Sequence, residues 1–466
     1  MIKIRMGNIF SKVEMADSRK EENALRKELT FPVPNFWFMP SYRKRIWNGM
    51  YSFYNDYAKT FPTGLLTLIK DKFEIVLIDN RKKPEVEVVE PALHGIELRD
   101  YQMEAINQAL ELERCIIQAP TNGGKTECAA GVISALQGAR TLWITHRGNL
   151  LYQTRDRLVK RLGVEVGVVH RDTLDIKEVT VGMVNTLYNR LYSKNKETKS
   201  FFRNWLKNSV DVLIIDEAHH TSATTWFSVA KLCDAYFRIG LSATPLMRHE
   251  IQNLRLIAMT GNVIETVTNK ELIRRGVSAR PKIMIVKNRI HTSFTPRNWG
   301  SSYRVGIERN RARNSLIEKI VRFHSRKKEP ILILVNTLMH AHNLKRSLQQ
   351  IRCVLVSGST PPEERNVWLK KLEEGEISAI IATPLFDEGA DVPNIRVLIL
   401  ASGGKSHLRL LQRIGRGLRR KPSGLNEIKI YDFADKGDKY LEAHSHHRFE
   451  LYKKEGFDVI PLEISR

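Results

Sequence analysis

A glycine turn that ends in lysine and threonine is suited to holding phosphate. Residues Ala119-Pro-Thr121-Asn122-Gly123-Gly124-Lys125-Thr126 follow directly on the apolar run Cys115–Gln118. Backbone N–H groups of such a turn point inward and cradle phosphate oxygens at the start of the next helix. Lys125 is then placed to neutralise the β- and γ-phosphates of ATP, and the Thr126 hydroxyl to hold Mg2+. Asn122 stands in the turn without breaking it, because asparagine tolerates a left-handed backbone. Some 90 residues on, Val212-Leu-Ile-Ile-Asp216-Glu217-Ala218-His219 sets two carboxylates at the C-terminal end of an apolar run. Asp216 suits Mg2+ held through water, and Glu217 suits orienting and deprotonating an attacking water. Near the end of the chain lies Gln412-Arg413-Ile-Gly-Arg416-Gly-Leu-Arg419-Arg420. Its arginines, three apart, share a helix face. Guanidinium groups of Arg416 and Arg419 there would stabilise charge on a transferring phosphoryl group, with Gln412 beside them. A DNA-gripping helix is the competing role for this run, and Arg420 and Lys421 suit the backbone contacts.

Groups of this kind need a scaffold that brings distant segments to one edge. From about residue 91 to 270, short apolar runs (Cys115–Ile117, Thr141–Ile144, Val212–Ile215) alternate with longer amphipathic stretches. That alternation predicts buried parallel strands joined by crossover helices. It resumes after Pro281 with IMIV, ILILV, CVLVS, AIIAT, VLIL and IKIYDF. Two open α/β domains in tandem are expected, 91–270 and 271–466, with ligands at the carboxyl ends of their strands. Residues 1–90 mix strand-like and helical patterns and close on the linker-like PEVEVVEP, which predicts a small separate α+β domain for substrate recognition.

Composition narrows the partner. The chain of 466 residues carries 75 Lys and Arg against 51 Asp and Glu, a formal charge of +24. Such an excess favours a polyanion. It is steepest between Lys270 and Pro330, with 17 cations against 4 acids. Within that stretch Arg289 and Arg297 are candidate DNA contacts. The segment from Lys287 to about residue 305, with Phe294 and Trp299, is a candidate strand-separating hairpin. The four cysteines lie far apart and form no Cys-x-x-Cys pair, so buried reduced thiols are expected and zinc is not. No apolar run of about 18 residues argues for a membrane span. The opening MIKIRMGNIF lacks the apolar stretch of a secretory signal, so a cytoplasmic protein is expected.

Taken in order, these motifs resemble those of superfamily 2 helicases over about residues 90–435. The resemblance implies two RecA-like motor domains and ATP hydrolysis that drives translocation along a strand. It further implies roles for several other residues. Gln102 in Leu98-Arg-Asp-Tyr-Gln102 would read adenine. Thr145-His146-Arg147 would touch DNA, and Ser242-Ala243-Thr244 would couple hydrolysis to DNA. Ala382-Thr383 with Glu388-Gly389-Ala-Asp391 looks like a further motif, with Thr383 on DNA and Gly389 and Asp391 near the nucleotide. A narrower resemblance is to phage UvsW-type branch-migration helicases. It rests on modest length, a compact motor and a roughly 90-residue extension ahead of the Tyr-Gln pair. Branched or forked DNA is thus the expected substrate, worked by a monomer alongside recombination or replication proteins. An RNA helicase and a double-stranded DNA translocase subunit of a restriction system are the enzymatic alternatives. No Asp/Glu-x-Lys tripeptide falls in residues 1–90 to supply a fused nuclease of the common type. A DNA-binding scaffold with an inactive nucleotide site is the alternative outside enzymology.

Overall fold

The computed structural model describes residues 1–222, 224–246, 249–289, 298–383, 395–405, 414–415, 418, 420–421 and 425–464. The chain divides into two compact units, Met1–Val267 and Thr268–Arg466. Among the described residues of the first unit, eight strands form its principal sheet. Their order is Thr173–Asp175, Val166–His170, Val179–Met183, Thr141–Thr145, Val212–Ile215, Phe237–Ser242, Arg114–Gln118 and Val263–Glu265. All neighbours run parallel except the Thr173–Asp175 edge. The central strands are largely apolar because both of their faces are covered. Ile116, Leu142, Ile144, Leu213 and Ile215 enter one core. Cys115, Ile117, Trp143, Ile214, Ile239 and Leu241 enter the core on the opposite face.

The N-terminal block has its own sheet, ordered Thr60–Pro62, Phe10–Ala16, Ile2–Met6 and Ile75–Asp79. Its helix Arg19–Glu28 is capped by Ser18, whose hydroxyl accepts from Glu21 N at 3.2 Å. The block does not stand apart as the sequence reading drew it. Ile2, Ile4, Leu25, Phe61 and Leu65 are continuous with the motor core that includes Ile116 and Leu213. Gly64 lies so close to the helix Glu250–Met259 that a Cβ there would fall 2.0 Å from the Ile257 carbonyl oxygen. Asn8 donates to the Asp234 carbonyl at 2.7 Å. Arg81 pairs with Asp79 at 2.7 Å and Glu113 at 2.5 Å, with its guanidinium 4.5 Å from the Tyr236 ring centre. The expected linker is also docked, since Glu87–Val88 pairs antiparallel with Leu136–Gln137.

In the second unit, seven described strands make a wholly parallel sheet. They are ordered Cys353–Val356, Ala379–Ala382, Ile331–Leu334, Val397–Leu400, Glu427–Lys436, Arg280–Arg289 and Asp458–Leu462. The unit opens on Thr268, which caps the helix Asn269–Arg274 by accepting from Glu271 N at 3.2 Å. Two buried arginines tie its sheet to its helices. Arg313, fully buried, meets Asp435 at 3.1 Å and donates to the Ala401 carbonyl at 2.6 Å. Arg448 pairs with Asp432 at 2.8 Å, and Tyr452 donates to that same carboxylate at 2.6 Å. Buried charges persist only when paired in this way. All four cysteines are buried free thiols.

Candidate nucleotide site and nucleic-acid interface

The strands Val212–Ile215, Phe237–Ser242 and Arg114–Gln118 are adjacent in the first sheet, and each ends at the same edge in a turn with functional residues. From Arg114–Gln118 the chain crosses to Thr141–Thr145 on one side and later returns through Val212–Ile215. Ligands of open parallel sheets sit at such a reversal of strand order.

The phosphate turn has the predicted backbone. Asn122 and Gly124 adopt φ of 76° and 82°, and Gly124 caps the helix Lys125–Ala135. A Cβ on Gly123 would lie 2.9 Å from that of Ala119, and one on Gly124 would lie 2.0 Å from Gln102 Nε2. Both positions therefore require glycine. Lys125 Nζ folds back over the turn to donate to the Ala119 carbonyl at 3.1 Å. Gln102 is almost fully buried, accepting from Arg99 N at 2.9 Å and donating to the Gly123 carbonyl at 3.3 Å. The base-reading candidate thus touches the phosphate turn directly. Thr121 and Thr126 are half-buried in the turn and at its helix.

Farther along the same sheet edge, Glu217 has φ of 47°, and its N–H donates to the Asp216 carboxylate at 2.9 Å. Burial, with the Glu217 charge beside it, pushes Asp216 up to about 6, while Lys125 pulls it down. His219 Nδ1 lies 3.4 Å from Glu217 Oε2 and 3.3 Å from Ser242 Oγ, and Ser242 Oγ accepts from Thr244 N at 3.2 Å. Glu217, His219, Ser242 and Thr244 therefore form one chain of contacts, with Ala243 in its turn. The bridging role of His219 was not foreseen; its place directly after Asp-Glu-Ala was the available signal.

The residues present fit a nucleotide with its cation. Gly123 and Gly124 leave no room for a Cβ, and Lys125 turns toward the Ala119 carbonyl. Among the described residues, Glu217 Oε2 and Thr244 Oγ1 are buried without a hydrogen-bond partner. The Thr126 hydroxyl and the Asp216 carboxylate are the oxygen ligands that magnesium prefers.

Other candidate positions are less uniform. Thr145 is fully buried at the end of its strand, so its hydroxyl is no surface DNA contact, whereas His146 and Arg147 are half-buried at the strand's mouth. Thr383 is buried and donates its N–H to the Val356 carbonyl at 3.2 Å. Lys421 is buried and Arg420 exposed, which separates two cations that the sequence treats alike. Arg81, a cation of the block expected to recognise substrate, clamps that block to Glu113. Trp299 packs against His444 at 4.1 Å and Tyr303 at 5.7 Å, so it is built into the second unit and is not a free wedge. Phe294, Arg297, Gly389, Asp391, Gln412, Arg416 and Arg419 lie outside the described residues. Arg289 lines an open groove of about 560 Å³ with Lys287, Arg309, Arg311 and Lys319, and among the described residues no carboxylate lines it.

Comparison with known proteins places these features in a lineage. Residues 95–247 match the family described as type III restriction enzyme, res subunit, and residues 312–421 match the helicase conserved C-terminal domain. The protein named helicase 22 of Sulfolobus islandicus filamentous virus is 28% identical over 355 residues, 70% of this chain, which spans 62% of that protein's length. The ATP-dependent DNA helicase uvsW of Enterobacteria phage T4 is 24% identical over 520 residues, covering 98% of each chain. The fold is shared with the Pyrococcus furiosus Hef helicase domain, at a TM-score of 0.53 and 15% identity over 76% of this chain and 98% of that one. The two tandem parallel-sheet domains are RecA-like motor domains, and the chain belongs to helicase superfamily 2.

Proposed function

We propose that this chain is an ATP-dependent DNA helicase that translocates on DNA and unwinds or branch-migrates forks and four-way junctions. The observation that carries the reading is that Lys125, Asp216 and Glu217 follow the carboxyl ends of two strands separated only by Phe237–Ser242, beside a turn in which Gly123 and Gly124 leave no room for a Cβ. Bound Mg2+–ATP supplies the high-energy phosphoanhydride. Lys125 and the turn's N–H groups hold the phosphates, Gln102 orients the base, and Thr126 with Asp216 hold the cation. Glu217 takes the proton of the attacking water, and His219 relays the state of that carboxylate to Ser242 and Thr244. Arg416 and Arg419 are assigned by their motif to the transferring phosphoryl charge.

DNA is favoured over RNA by the relative that spans nearly the whole chain and bears the name of a DNA helicase. Phosphates are assigned to the basic groove of Arg289, Arg309 and Arg311 in the second unit, and to His146 and Arg147 in the first. Branch migration also suits the motor energetically. Opening a duplex costs about 1.4 kcal/mol per base-pair step, whereas migration re-forms a pair for each one broken. Work as a monomer beside recombination or replication proteins belongs to the same reading. Among the described residues, no helix is long and apolar enough to cross a membrane. The match to a restriction-enzyme subunit family favours a second reading, a double-stranded DNA translocase that serves a separate nuclease. ATPase assays with single-stranded, forked and linear duplex DNA and with RNA distinguish these readings. The proposal expects the greatest stimulation by forks or junctions, and equal stimulation by RNA would overturn it.

A further inference from the structure

The paired strands Thr30–Pro32 and Met50–Ser52 enclose an excursion, residues 33–49, that the motor does not use. It is well ordered by its own contacts. The ring of Phe36 meets Trp37 and Tyr42 edge-to-face at 5.2 and 4.6 Å, and it fills the space where a Cβ on Gly49 would fall. Trp47 Nε1 donates to the Met50 carbonyl at 2.8 Å, and Arg43 Nε to the Trp37 carbonyl at 3.2 Å. A folded tip of this kind ordinarily turns its rings inward. Here only Phe36 and Trp47 do so in part, while Trp37 is 51% exposed, Phe38 65% and Ile46 77%. Arg43 stands 6.0 Å from the centre of the exposed Phe38 ring. Trp37, Tyr42, Arg43, Arg45 and Trp47 line a shallow open groove of about 780 Å³. Residues 33–49 contain Arg43, Lys44 and Arg45 and no acid. No described carboxylate pairs with any of the three.

Exposed rings held rigid beside unpaired cations complement a strand whose bases are free to stack and whose phosphates need neutralising. A base-paired duplex hides its π-faces and would use only the cations. We propose that the Trp37–Trp47 excursion is a single-strand site. Trp37 and Phe38 would stack an unpaired base, and Arg43, Lys44 and Arg45 would hold its flanking phosphates. This rests on the reading that the chain acts on DNA and deepens it. The block would distinguish a fork from linear duplex by its unpaired nucleotides.

The test uses the full chain with Trp37→Ala/Phe38→Ala and, separately, the conservative Trp37→Phe. Both rings are exposed, so folding should survive, and circular dichroism with thermal melting checks this. Binding is measured with oligo-dT, a fork with unpaired arms, and blunt duplex, alongside ATPase at saturating DNA. The double variant should bind oligo-dT and the fork about tenfold more weakly, bind blunt duplex as before, and keep its maximal ATPase. Trp37→Phe should keep the affinity yet lose part of the tryptophan quenching that oligo-dT produces. Equal affinity of variant and wild type for all three DNAs would overturn the site, and it is the result expected if a protein partner or a second copy covers the rings. Equal weakening on fork and blunt duplex would also overturn it, by showing a phosphate grip alone. If wild-type ATPase ignores DNA altogether, both this site and the helicase reading fall; if DNA stimulates it normally while ring loss changes nothing, only this site falls.

Discussion

Lys125 donates to a carbonyl of its own turn, the same turn whose phosphates it is assigned to neutralise. Lys125→Ala should therefore take ATP turnover below about a tenth of wild type while DNA affinity stays within about twofold, as ATPase and anisotropy assays would show. Glu217→Gln should bind ATP and DNA but hydrolyse about 10²- to 10⁴-fold more slowly, because an amide cannot accept the water's proton. Normal turnover in that variant would move the base elsewhere. At this scale the phosphate turn was legible in the sequence, including the left-handed backbone at Asn122, because so few residue types allow it. Burial was less legible. Thr145 and Lys421 look like surface contacts in sequence but are covered by neighbours remote in the chain, and Arg81 found carboxylates at Asp79 and Glu113. Charge is written in a sequence; the partner that claims it is not.

The apolar runs of the motor became strands where expected, since runs of four or five β-branched and aliphatic residues between crossover helices have few other ways to be covered. The docking of the N-terminal block was invisible because its shared apolar core, its Arg81–Glu113 pair and its close backbone approaches all join residues remote in the chain. Gly64 is one such approach, and Gly64→Val should destabilise the first unit by about 1–3 kcal/mol, measured by denaturant unfolding. The same variant unfolding at the wild-type midpoint would mean that the block yields easily. In the second unit, Arg313→Met leaves buried Asp435 with Asn288, at 2.8 Å, as its one side-chain partner among the described residues. A loss of about 3–5 kcal/mol is expected, visible as a lower melting temperature. These two elements are packed by quite different means, one by backbone contact and the other by charge.

For the molecule as a whole, the two units should respond to acid on their own terms. In the second, burial drives His340 down to about 3 and also lowers His324. Their folded values lie below the unfolded one, so the stability they contribute is present above about pH 6.5 and drains away as pH falls toward 3. Thermal melts from pH 7 to pH 5 should show the second unit losing stability, and His340→Gln should blunt that loss. DNA affinity should fall steeply with salt, about 0.9 in the logarithm for each phosphate contact, and Arg289→Ala should reduce the slope by about one.

The buried thiols described with the fold have a practical consequence for kinetics. Burial pushes Cys115 and Cys128 up to about 12 and Cys233 and Cys353 up to about 11, so none reacts while its surroundings stay shut. Three belong to the first unit, flanking the phosphate turn and beneath the N-terminal block, and one to the second. Alkylation by a small maleimide followed by peptide mass analysis would therefore read the opening rate of each unit separately, with no engineered label. Adding nucleotide should slow the modification of Cys115, Cys128 and Cys233 more than that of Cys353. The chain thus carries its own stopwatch, one set of hands for each half of the motor.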